Sequence, residues 1–144
     1  MTETISGIIA AVLIIFIVRL LLRFVSYRFI AATILVAIAF IYVGFSLKDN
    51  PTESIILECT MAVLFYLLAI AGYARNSQLL GYGILLHGSW DILHHNQLIV
   101  HTDVASYWPS FCFIVDLIDG LYFIIVFRNE QKRHSVNVPA GANN

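Results

Sequence analysis

Charge is what this chain has least of: Asp, Glu, Lys and Arg together make up 12% of its 144 residues. Eight basic against nine acidic side chains leave a formal charge of −1, so there is no basic excess to hold nucleic acid, and nucleic acid is excluded as a partner. Cysteine is limited to Cys59 and Cys112, with no CxxC and no zinc-ribbon spacing, which excludes a disulfide scaffold and a finger-type metal site. No positive charge precedes the first apolar run. Glu3 stands before it and Arg19, Arg23 and Arg28 follow, the reverse of a cleaved signal peptide. Internal repeats and low-complexity tracts are also missing, so the chain is not a repeat array.

What remains is apolar. At 60% hydrophobic residues and a mean hydropathy of +0.84, the composition is that of an integral membrane protein. Five apolar segments, at about residues 5–25, 29–47, 54–74, 79–100 and 110–127, have lengths suited to a hydrocarbon core of about 30 Å. The expected fold is all-α, a polytopic bundle of about five transmembrane helices forming one domain over residues 1–134, with a disordered polar tail at 135–144. An N-terminus outside and a C-terminus in the cytoplasm puts Arg19, Arg23, Arg28, Arg75, Arg128, Lys132 and Arg133 inside, leaving only Lys48 outside. Tyr107 and Trp108 at one edge, with Tyr27, Tyr73 and Tyr82 at the other, fit interfacial belts.

The fourth segment is apolar enough for a bilayer, yet it carries His87, Asp91, His94 and His95. On a helix these fall at about 0°, 40°, −20° and 80°, one face about 100° wide. Ionisable groups at bilayer depth cost roughly 2.5–3.5 kcal/mol each, so such a stripe calls for partners, a metal or a water-filled cavity. Counting rise per residue brings Asp116 and Asp119 of the fifth segment level with Asp91, and Glu58 of the third near His94 and His95. A polar pocket in the outer half of the bundle is expected, with Glu58, Trp90 and Cys112 in its lining.

Two imidazoles and a carboxylate on successive turns can converge on a cation, and a facing helix can add more carboxylate. His87, Asp91, His94 and Asp116 are the expected metal ligands, for zinc first and for iron or manganese next. Asp119 or His95 would act as general base. Substrate entry from the outer leaflet points to hydrolysis of a lipid or other apolar ester or amide, and an iron site could instead oxidise an acyl chain. The alternative reading is a proton or metal-ion transporter, or a polar-ligand binding protein, using the same His/Asp cluster. The bland reading is a hydrogen-bonded network that only fixes helix register. Haem ligation has less support, because the three membrane histidines sit on one helix. A homo-oligomer completing the pocket is a further expectation.

HGSWDILHH resembles the histidine-rich helices of intramembrane metalloenzymes. It is similar in its mix of His and Asp to the alkaline-ceramidase and progestin-receptor-like membrane hydrolases, and more distantly to the histidine boxes of membrane desaturases and hydroxylases. The first group has seven helices and gathers its histidines from different segments; the second uses about eight histidines, and this chain has five. The whole chain looks like a small, uncharacterised bacterial inner-membrane protein family with an HGxWDxxHH signature. What the resemblance implies is a membrane-embedded metal centre, with no particular substrate.

Overall fold

The computed structural model describes residues 2–48, 51–95 and 100–137. Five helices, and no strand among the described residues, follow one another as α1 (Thr2–Leu21), α2 (Tyr27–Ser46), α3 (Thr52–Ala74), α4 (Gln78–His94) and α5 (Trp108–Asn137). All but α4 are long and apolar enough to cross a membrane, so the molecule is a polytopic helical bundle. Their outer faces show why: Ile8, Val12, Phe16, Leu64, Leu67 and Ile125 are all exposed, an arrangement stable only where the solvent is hydrocarbon.

Short polar turns reverse the chain. Ser26 caps α2 by accepting a hydrogen bond from the Phe29 amide at 3.2 Å, and the Asn76 side chain accepts from the Gln78 amide at 3.1 Å. Helix α4 is the centre of the molecule. It packs mainly against α5 and also touches α3 and α2, while α1 lies against α5. Leu35, Leu80, Ile84, Phe123 and Phe127 are fully buried where α2, α4 and α5 meet.

Two helix ends depart from the sequence expectation. The run 79–100 stops at His94: His95 turns to an extended conformation (φ −62°, ψ 121°), and the Val100 amide returns to the Leu93 carbonyl at 3.2 Å. That bond satisfies one of the carbonyls a helix end leaves open, so termination there costs little. Helix α5 instead continues past Phe127 through the polar stretch to Asn137, which includes the first three residues of the expected tail; residues 138–144 lie outside the described residues. Arg, Glu, Gln and Lys are good helix formers, and Gln131 accepts from the Gln78 side chain at 2.6 Å, tying the extension to the start of α4.

The α4–α5 contact depends on glycine. A Cβ on Gly81 would stand 2.7 Å from Ile124 Cγ1 and 2.9 Å from the Ile124 backbone nitrogen, so the helices approach at backbone distance. Gly81→Ala is therefore expected to destabilise by about 1–3 kcal/mol, because a backbone atom cannot swing away as a side chain can. Thermal unfolding in detergent checks this. Gly44→Ala, where a Cβ meets nothing within 4 Å, is the control and is expected to be neutral or slightly stabilising.

Candidate metal centre

Helix periodicity and the tight α4–α5 packing bring three of the expected ligands together. His87, Asp91 and Asp116 each offer one ligand atom, and these lie within 4.8 Å of one another. His87 Nδ1 is 2.7 Å from Asp116 Oδ2 and 3.9 Å from Asp91 Oδ1. All three residues are buried, at 2%, 0% and 2% exposure. Gly88 makes the approach possible, since a Cβ there would already touch Asp116 Cβ at 3.1 Å.

The group does not satisfy its own polar atoms. Asp91 Oδ1 accepts a 2.8 Å hydrogen bond from the Tyr42 hydroxyl, but Asp91 Oδ2 has no partner. His87 Nδ1 is hydrogen-bonded to Asp116 Oδ2, whereas Nε2 has no partner, although the Ile38 carbonyl lies near the ring. One imidazole therefore faces two buried carboxylates. A donor set of one nitrogen and two carboxylate oxygens suits zinc, iron or manganese, and the unpartnered atoms give a cation something to bind. The residues fit a divalent metal.

The other expected site residues occupy separate places. His94 lies apart from the trio: its Nε2 is 2.7 Å from Glu58 Oε1 and its Nδ1 donates to the Trp90 carbonyl at 3.0 Å. Both ring nitrogens are thus engaged, and neither is left to ligate. Glu58 is completed by Thr102 Oγ1 at 2.6 Å and by the Trp90 indole N–H at 3.3 Å. Trp90 also stands edge-on to the His94 ring.

Asp119 is buried, one turn along α5 from Asp116, and neither of its carboxylate oxygens has a partner. His95 has left the helix, is exposed, and pairs through Nδ1 with Ser110 Oγ at 3.0 Å beside a cavity of about 240 Å³ lined in part by Ile92, Phe113 and Ile114. Cys112 is a half-buried free thiol. The trio itself is buried, and the cavities of about 620, 380 and 240 Å³ among the described residues are lined by other residues.

Tyr42 is the participant that sequence reasoning missed. It joins the two groups, donating to Asp91 while its ring stacks on His94 with centroids 4.0 Å apart. Phe65 adds an edge contact to the His87 ring at 5.1 Å. The available signal was slight: a polar-tipped aromatic near the far end of the uncharged segment 29–47.

Comparison with known proteins adds a family and no activity. No curated protein and no solved structure matches the chain. A family model does, over residues 2–129, nearly all of the helical part, and its description is a family of unknown function. The chain belongs to that family, DUF6010.

Proposed function

We propose that the protein is a membrane-embedded, metal-dependent enzyme with its divalent cation held by His87, Asp91 and Asp116. The observation that carries this reading is three buried ligand atoms within 4.8 Å of one another. Zinc is the first expectation from the donor set, with iron or manganese next. A cation held by these three residues would supply Lewis acidity. The chain's own residues would do the rest. Tyr42 fixes the Asp91 carboxylate by its 2.8 Å hydrogen bond, and Asp119, with both oxygens unpartnered, is the acceptor for a proton. A hydrolytic reaction on a lipid ester or amide is the finer proposal, because the site lies within a bundle whose outer surface is apolar.

The deciding experiment is elemental mass spectrometry on detergent-purified protein beside His87→Ala and Asp91→Ala. The expected result is about one equivalent of zinc, iron or manganese in the parent, lost in both variants while circular dichroism stays helical. Folded parent protein that carries no metal and takes up none when it is added overturns the proposal. Release of fatty acid or alcohol from defined lipids by the metal-loaded protein, absent in Asp119→Asn, then tests the hydrolytic part.

One observation favours a second reading. Glu58 with His94, Tyr42 with Asp91, and His87 with Asp116 are three hydrogen-bonded pairs, linked by the Tyr42–His94 ring stack and the 3.9 Å His87–Asp91 approach, and a chain of acids and histidines is also how a proton relay is built. The other halves of α4 and α5 lack acids, bases and histidines up to the basic end, so a relay would stop in mid-membrane. Proton flux in proteoliposomes under an imposed pH gradient distinguishes the two, since the enzyme reading expects none.

A further inference from the structure

At the opposite end of the bundle from the His/Asp group, α2 and α3 enclose a groove of about 620 Å³. Small residues line it, Ala32, Ala37 and Ala69 among them, together with the aromatic Phe29, Tyr66 and Tyr73. From the level of Phe29 to that of Ala37 the groove runs about 12 Å, the reach of roughly the first ten carbons of an acyl chain. An apolar groove on a membrane protein meets lipid in any case. What singles this one out is its basic mouth.

Arg28 opens α2, and its guanidinium donates to the Tyr73 carbonyl at 3.3 Å, crossing to the end of α3. Arg75 caps that same helix end. Both arginines are exposed, and among the described residues neither forms an ion pair. Of the other cations at this end, Arg128 donates to the Tyr82 hydroxyl at 3.0 Å and Arg19 lies over the Tyr122 ring at 5.8 Å, while Arg23 stands exposed in the turn between α1 and α2. Two uncompensated guanidiniums at the mouth of an apolar groove match a ligand with an anionic head and an apolar chain. We infer that the α2–α3 groove is a binding site for an anionic glycerophospholipid, with one acyl chain between the helices and the phosphate at Arg28 and Arg75.

This site is separate from the candidate metal centre and does not depend on it. A second copy of the chain is a poorer occupant, because an identical surface would bring two arginine pairs together. Guanidinium suits the partner well, since its planar fork bonds phosphate oxygens in pairs.

Native mass spectrometry of the detergent-solubilised chain, with palmitoyl-oleoyl phosphatidylglycerol or phosphatidylcholine added separately, tests the inference. Phosphatidylglycerol is expected to bind about tenfold or more tighter than phosphatidylcholine, in line with two arginines near a lipid phosphate. The exposed double variant Arg28→Gln/Arg75→Gln is expected to erase that preference. Ala37→Phe, which fills the groove and leaves both charges in place, is expected to lower the affinity for both lipids. Equal binding of the two lipids by the parent, an undiminished preference in the arginine variant, or unchanged binding in Ala37→Phe each overturns the inference. So does a dimer whose interface is mapped by cross-linking to Tyr66.

Discussion

Replacing Glu58 with alanine is expected to cost about 3–5 kcal/mol of stability. Glu58 is buried to 1% exposure and accepts from three donors, His94 Nε2, Thr102 Oγ1 and the Trp90 indole. Removing it deprives all three groups of their partner at once, with His94 and Thr102 buried at 2% and 1% exposure. The desolvation cost that the pair had offset is then felt in full. Detergent unfolding of Glu58→Ala, His94→Ala and the double variant measures it. Each single change is expected to be severe and the double variant much milder than their sum, as for two halves of one interaction. If Glu58 instead reached out to the interface, its removal would cost under about 0.5 kcal/mol, as surface changes do.

Asp116→Asn is expected to have opposite effects with and without metal. The substitution keeps the shape of the side chain facing His87 Nδ1 at 2.7 Å but removes one of two neighbouring buried carboxylates. In chelator, relief of that like-charge burial is expected to stabilise the fold by about 1 kcal/mol. With metal present the sign reverses, because the amide is a far weaker ligand, and affinity is expected to drop about 100-fold or more, beyond the range for losing an outer-shell partner. Thermal melts with zinc and with chelator, together with competition against a chelating dye, read both effects. Equal destabilisation under both conditions would show that the trio is a hydrogen-bonded network with no cation, and the metal proposal would fail with it.

Much of this arrangement could be read from residues alone, for identifiable reasons. Hydropathy and length placed the five helices, since backbone in hydrocarbon has few ways to satisfy its hydrogen bonds. The helical spacing of His87 and Asp91, with Asp116 level with them on the returning helix, anticipated the buried trio. The split of His94 from that trio was not accessible. His94 is only 20° from His87 around an ideal helix, about one-fifth of a residue's turn, and which neighbour it meets depends on how α3 is rotated and raised against α4. Glu58 settles that by taking it. His95 left the shared face because the helix ends beneath it, and helix ends in an apolar run leave little trace in composition. Tyr42 was hidden among seven tyrosines because its hydroxyl becomes meaningful only once Asp91 lies 2.8 Å away.

The early end of α4 has a consequence for the surrounding bilayer. Seventeen helical residues span about 25 Å, short of a hydrocarbon core of about 30 Å. One side of the helix meets lipid through Tyr82, Leu86 and Ile92, which are exposed. Lipids against that side face a hydrophobic mismatch and adapt by thinning, at a modest cost per ångström. A bilayer thinned at the end of α4 that carries Asp91 and His94 is the expected result, and it would bring headgroups and water nearer to the buried acids than its nominal thickness allows.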